Sequence, residues 1–363
     1  MTLEKMAKST LNFYAPRFEV EIENQKLPVN ISKSIMDVTV DEKLDEGASF
    51  SLTVHDEFDM DTQKFKWLDH DLFNVGNNIT VKMGYGNNLS VLIMGTITSL
   101  EPSFFAGDTP TITVGGQDLS YDYIKRATPE RTFFNRSYSD IAQSIASEAG
   151  LLFVADSTGV LEPFIRKNSS QTYYDFLKTI AGTAGFTFYM DRKTMYFIKP
   201  KDDAKEILSL ELGKDIISFR PNMNTSRQVT EVEVRGHNPR DPGTPLIGIA
   251  GAGSERSQES GRRTGSQITA ERHGDQRMVI TNLIVNSVEH ANSIALAELN
   301  RRADEFITGE GECIGIPQIR PGVAIVLDKM GKRFSGKYYV KGVAHTINSS
   351  GYRTRFTVKR NAA

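Results

Sequence analysis

A single cysteine, Cys313, stands in 363 residues, so no intrachain disulfide can staple this fold. It lies between Glu312 and Ile314 in a strand-like stretch, where a small buried apolar group is the expected role. Long apolar runs are missing too: nowhere do eighteen uncharged apolar residues follow one another, which excludes a membrane-spanning helix of ordinary length. Met1 to Tyr14 has scattered lysines and lacks the apolar stretch of a secretory leader, so a soluble chain made in the cytoplasm is expected. Neither sign of charge dominates. With 43 Lys+Arg against 45 Asp+Glu the net is -2, which lacks the basic footprint of a nucleic-acid binder.

Catalytic and cofactor motifs are also absent. The Gly-Lys pairs beginning at Gly213, Gly331 and Gly336 are followed by Asp, Arg and Tyr, so no phosphate-binding G-x-x-x-x-G-K-[ST] loop is present. The glycine-rich stretches near 84, 251 and 309 do not join a buried strand to a helix, as a dinucleotide fingerprint requires. The histidines at 55, 70, 237, 273, 290 and 345 have no metal-ligand spacing. Asp69-His70-Asp71 suggests catalysis but has no G-x-S-x-G elbow with it, and it reads as a hydrated turn beside Trp67 and Leu68. No carboxylate pair stands out for acid and base work. Neither an enzyme nor a cofactor or metal protein is expected.

What is present is β-structure. Phe18, Val20 and Ile22 alternate with Glu19, Glu21 and Glu23, and Phe50, Leu52 and Val54 alternate with Ser49, Ser51 and Thr53. This period of two marks strands with one face on a core. Glu19, Glu21 and Glu23 then read as an acidic face, either solvated or set against a partner or channel. At the far end Tyr352, Thr354, Phe356 and Val358 alternate with Arg353, Arg355, Thr357 and Lys359. The basic side chains Arg353, Arg355 and Lys359 are expected to meet an acidic partner. Residues 1–118 hold 9 Lys+Arg against 18 Asp+Glu, a net of -9, so the first part of a neighbouring copy fits that description.

The middle changes period. Ser137 to Leu151 (SYSDIAQSIASEAGL) and Thr172 to Phe186 (TYYDFLKTIAGTAGF) form an internal repeat offset by 35 residues. Each has a Ser/Thr cap, an Asp three residues later and a terminal Gly, the pattern of a short capped helix. Ile141 with Ile145, and Phe176 with Ile180, fall at i and i+4 on one face. From Asp241 to Gln276 the chain is rich in Gly, Ser, Pro and Arg without apolar periodicity, and it reads as a loop that a partner orders. Its cations, Arg262 and Arg263 together with Arg240, Arg256, Arg272 and Arg277, would face acidic surface. A helix is expected over Val288 to Ile307.

Several segments, in order over nearly the whole chain, resemble the phage late control protein D family. They are DEKLDEGASFSLTVHD from Asp41, FNVGNNITVKMGY from Phe73, LIMGTITSLEPSFFAGDTPTITVGGQDLS from Leu92, the helical repeat, GEGECIGIPQIRPGVAIVL from Gly309 and RFSGKYYVKGVAHTINSSGYRTRF from Arg333. The resemblance implies a mainly β fold with an α+β insertion, shared with baseplate hubs of contractile tails and the N-terminal body of VgrG spikes. In it, two related β-barrel tube domains per chain are joined by an inserted domain and a peripheral loop-helix excursion. The expected division is 1–118 for the first barrel, 119–207 for the inserted α+β domain, 208–240 with 310–363 for the second barrel, and 241–309 for the excursion. The implied role is a trimeric adaptor between a sixfold tail tube and a threefold spike. Its partners would be two further copies, a tube or tube-initiator protein, a spike and baseplate wedge proteins, with DNA or tape measure passing the lumen without specific binding and no membrane contact. Its place would be the bacterial host cytoplasm during assembly, then the virion baseplate or injection particle. Two other readings remain: a LysM-like peptidoglycan-binding tail module, from the helical repeat, and a tail-associated wall hydrolase.

Overall fold

The computed structural model describes residues 13, 15–44, 46–105, 108–126, 128–159, 161–199, 206–238, 241–256, 261–285 and 287–363. Arg240 lies outside them. The first third contains β1 (Pro16–Ile22), β2 (Gln25–Lys26), helix α1 (Val29–Ser34), β3 (Ile35–Lys43), β4 (Gly47–His55), β5 (Phe58–Asp59), β6 (Lys64–Phe65), β7 (Asn78–Tyr85), β8 (Asn88–Ser103) and β9 (Thr111–Asp118). Next come α2 (Tyr121–Ile124), β10 (Arg131–Arg136), α3 (Tyr138–Glu148), β11 (Leu152–Ala155), β12 (Glu162–Lys167), α4 (Tyr173–Ala184), β13 (Thr187–Asp191) and β14 (Thr194–Ile198). The remainder holds β15 (Glu206–Glu211), β16 (Ile216–Met223), β17 (Glu231–Asn238), β18 (Asp241–Gly251), α5 (Gly265–His273), β19 (Arg277–Ile284), α6 (Val288–Ala303), β20 (Ile307–Ile314), β21 (Ala324–Asp328), α7 (Gly331–Phe334), β22 (Gly336–Asn348) and β23 (Gly351–Arg360).

Period-two alternation turns into one large, mostly antiparallel sheet in the order β16-β20-β23-β22-β3-β4-β9-β8-β7-β1-β2, with β15 and β21 attached beside β22. Six long strands come from the first third and six from the end of the chain. The two groups meet where β22 pairs with β3 in the register Ala344↔Asp41 and Thr346↔Thr39. β22 serves both. Its start pairs with β21, an irregularity between Val340 and Gly342 follows, and its later residues leave β21 and take up β3. A bulge bends a strand in this way. Apolar residues of both groups, among them Val38, Leu52, Val81, Ile97, Leu208, Leu327, Tyr338 and Val358, fill one continuous core. The fold is therefore mainly β, dominated by an antiparallel sheet.

A second core lies among residues 124–197, where Ile141, Ile145, Phe176, Leu177 and Ile180 face Phe133, Phe188, Met195 and Phe197. Both helices of the repeat begin with a reciprocal capping box, Ser137 with Asp140 and Thr172 with Asp175. Gly150 and Gly185 follow them with φ of +67° and +70°, the left-handed stop that glycine adopts without strain.

Three expectations are corrected here. The stretch read as a loop from Asp241 builds strand β18, which pairs antiparallel with β17, while β17 pairs parallel with β19. Helix α6 covers this sheet with Ala291, Ala295 and Leu299 against Val232, Val234 and Ala250. Sequence composition misled because β18 is an edge strand, where Pro245 costs no ladder bond. Gly248 is needed for close approach, since a Cβ there would lie 2.2 Å from the Ala291 carbonyl carbon. Secondly, β17, which lies within the 208–240 stretch assigned to a barrel, pairs only into this small sheet. Thirdly, the helix starting at Val288 ends at Ala303 and not at Ile307. Phe306 and Ile307 are fully buried and belong to the large core.

Candidate functional site

The outward face of the large sheet is polar across both strand groups. By cross-strand register, Ser218, Glu312, Arg355, Ala344, Asp41, Ser49 and Gln117 stand side by side from β16 to β9. A neighbouring row is Ile314, Arg353, Thr346, Thr39, Ser51, Gly115 and Ser99. Small hydroxyl and glycine positions dominate, and the charges are mixed. Thr39 and Thr346 bond hydroxyl to hydroxyl at 3.0 Å across the junction between the groups. Arg355 Nε donates to Glu312 Oε2 at 3.1 Å. Burial holds the Asp41 carboxyl above its usual range, with Lys43 opposing. A groove of about 470 Å³ on this face is lined by Asp41, Lys43, Arg220, Glu310, Glu312 and Arg355, three cations and three carboxylates. These charges balance, so the groove favours neither sign of partner.

The other residues singled out in the sequence scatter over the fold. Glu19 and Glu21 on β1 are neutralised within the chain: Lys82 of β7 pairs with Glu21 and lies 3.4 Å from Glu19, which also pairs with Lys26. Glu23 does not share their strand face. It sits in the turn after β1 with φ +49°, and its carboxylate accepts the Asn78 backbone N–H at 2.5 Å. Lys359 reaches the Asp304 carboxylate at 2.6 Å. Arg262 donates to the carbonyls of Lys332 and Ser335, both at 3.2 Å, at the end of α7. Arg263 pairs with Glu271 on the surface at 2.5 Å. Of the basic set on β23, Arg353 and Arg355 face the polar groove side while Lys359 is tied to Asp304.

Two suspected chemistries resolve into structure. The Cys313 thiol is buried on β20, and burial pushes its pKa far up, which leaves it inert as a nucleophile. In the Asp69-His70-Asp71 turn, Asp69 accepts the Phe65 N–H at 2.7 Å and His70 Nδ1 accepts the Leu72 N–H at 3.2 Å. Sequence reasoning missed Arg320 and Glu42, which join the two strand groups. Arg320 stood out only as a charge in an apolar-rich segment, and Glu42 was one of several charges in the run from Asp41 to Glu46. Among the described residues no helix is long and apolar enough to cross a membrane.

Solved structures share this architecture. A 43 kDa tail protein of prophage MuSo2 from Shewanella oneidensis superposes with a TM-score of 0.71 at 15% identity, over 95% of this chain and 98% of that one. The tail protein from Neisseria meningitidis MC58 gives 0.71 at 12% identity, over 96% and 97%. The E. coli c3393 protein, a type VI secretion component similar in structure to the T4 tail proteins gp27 and gp5, gives 0.59 at 12% identity, over 94% and 77%. At these identities the shared property is the fold. No curated protein sequence matches the chain. The family model described as the Alg8 N-terminal domain matches residues 14–349, nearly the full length, and the chain belongs to that family.

Proposed function

We propose that the chain is a structural baseplate hub of a contractile tail or injection particle, of the late control protein D type, and not an enzyme. The observation that carries this reading is the pairing of two strand groups, each with six longer strands, edge to edge through β3 and β22. One chain offers two sheet units of like size, so three chains around an axis would offer six, the number needed to match a sixfold tube to a threefold spike. The likeness in fold to tail proteins and to a type VI component supports it. In this reading residues 1–118 and the later large-sheet strands form the ring, and 119–207 and the β17–β19 layer lie outside it. The polar sheet face would line a passage for DNA or tape measure without specific binding, and tube, spike and wedge proteins would meet the remaining surfaces. The particle forms in the host cytoplasm and the hub stays in its baseplate. Light scattering on the purified chain, and cryo-EM of the assembled particle, should show three copies around one axis. A stable monomer with no ring in the particle would refute the assignment.

A further inference from the structure

At one end of the first strand group, the hairpin β5–β6 and the chain just after β8 carry an aromatic cluster. Phe58 and Phe65 pair across the hairpin with ring centroids 4.8 Å apart, and the Phe104 ring lies 5.1 Å from that of Phe65. The cluster is open to solvent: Met60, Phe104 and Phe105 are 74%, 57% and 70% exposed. Its base is fixed. Buried Asp56 accepts the backbone N–H groups of Glu57, Trp67 and Leu68 at 2.8, 2.9 and 3.0 Å. The Asp56 N–H in turn donates to the Pro110 carbonyl at 2.9 Å, which ties the hairpin to the β8–β9 connection. Large apolar side chains grouped on a held scaffold, in contrast to single scattered ones, mark an interaction surface.

The charge around the cluster decides what kind of partner fits it. Exposed Glu57, Asp59, Asp61, Asp69 and Asp108 stand against Lys64 and Lys66, five acids to two bases, an excess of three negative charges. Lys66 takes Glu57 at 2.7 Å, and Lys64 stands opposite Asp59 in the hairpin register. Asp69 accepts the Phe65 N–H at 2.7 Å and Asp108 the Thr109 N–H at 2.8 Å, neutral donors that hold a carboxylate without cancelling its charge. An acidic rim repels phosphate, so neither nucleic acid nor an anionic membrane suits this surface. We propose that the cluster docks a partner protein through apolar side chains flanked by Lys or Arg, the rings covering the apolar part and the carboxylates facing the cations. The inference stands apart from the ring assignment, because it concerns one patch of one chain.

The test is a selection of disulfide-cyclised random dodecapeptides on the full-length chain, followed by anisotropy titration of the enriched peptides. Sedimentation of the chain, alone and with phosphatidylcholine vesicles, runs in parallel. Enriched sequences should combine Lys or Arg with aromatic or aliphatic residues and bind more weakly as salt rises. Met60→Ser with Phe105→Ser removes two exposed apolar side chains and should lower affinity about tenfold or more. Asp61→Lys should lower it about threefold and flatten the salt dependence. An unchanged thermal midpoint separates lost binding from lost fold, and if the double serine variant melts early, Asp61→Lys alone decides. Enrichment of sequences without Lys or Arg, or binding indifferent to these variants, overturns the proposal. Self-association or vesicle binding that the double serine variant abolishes, with no basic peptide enriched, puts a second copy or a lipid surface on the patch and overturns it equally.

Discussion

Arg320 Nη2 lies 2.7 Å from Oε2 of Glu42, and this pair ties the loop after β20 to β3 of the opposite strand group. The same guanidinium donates to the Val91 and Leu92 carbonyls of β8 and lies 3.0 Å from Asp191 of β13. One side chain thus fastens both halves of the large sheet and the inserted unit. Burial pushes the Glu42 carboxyl up, and Arg320 pulls it back down.

Removing one member of a buried pair strands the other. Arg320→Ala should therefore cost about 3–5 kcal/mol, measured as a lower urea midpoint. Arg320→Met together with Glu42→Leu should recover part of that loss, because the buried Glu42 carboxylate is no longer stranded, while Asp191 loses Arg320 but keeps Arg192 at 3.7 Å. A single variant as stable as the parent would show that the pair is solvated and unimportant.

His345 on β22 is fully buried, with Nε2 at 3.1 Å from the Ile319 carbonyl and Nδ1 at 3.0 Å from Thr354 Oγ1. Burial, with Arg320 nearby, pulls its pKa down to about 3, although the Ile319 bond works the other way. The folded pKa lies below the unfolded one, so between the two values the unfolded chain binds the extra proton. Stability is complete above the ordinary histidine range and falls with pH below it, by about 1.4 kcal/mol per unit for this one group. Denaturant midpoints at pH 7 and pH 5 should differ less in His345→Gln than in the parent. An equal pH dependence would place the acid sensitivity elsewhere.

The stretch read as loop also makes a prediction about protease access. Thr264 caps α5, its neighbour Gly265 donates to the Asn361 carbonyl at 3.1 Å, and Ala363 donates back to the Arg263 carbonyl at 3.0 Å. The C-terminal residues thus clamp 263–265 to the large sheet. Trypsin should cut slowly after Arg262, Arg263 and Arg272 in the free protein, and removal of the last three residues should expose those sites. Rapid cleavage of the intact free chain would restore the expectation that only a partner orders the segment.

Local pattern explains what was legible. Strands such as β4 and β23 have one buried face, so alternation alone places Phe50, Leu52, Phe356 and Val358 inward. The caps of α3 and α4 were equally visible, because capping uses residues three apart. The β17–β19 layer was hidden, since Pro and Gly on an edge strand look like loop until a helix is seen to cover its other face. The Arg320–Glu42 pair was hidden for another reason: its partners are 278 residues apart, and nothing local signals a long-range charge pair.

Arg355 and Lys359, two of the basic residues of β23, differ in kind, and charge reversal distinguishes them. Arg355 is 75% exposed in its pair with Glu312, so Arg355→Glu should alter stability by no more than about 1 kcal/mol. Lys359 is 18% exposed and lies beside Asp304, itself largely buried. Lys359→Glu would set two carboxylates together with only Arg256 between them, a loss of several kcal/mol. Urea midpoints measure this difference directly. Because Arg355→Glu leaves the fold intact, any loss of self-association or particle assembly in that variant reports a contact made by the polar sheet face, and it should be larger at low salt. Unimpaired assembly at low salt would remove Arg355 from any partner interface, while a folding defect as large as that of Lys359→Glu would show that its pairing with Glu312 holds the sheet together.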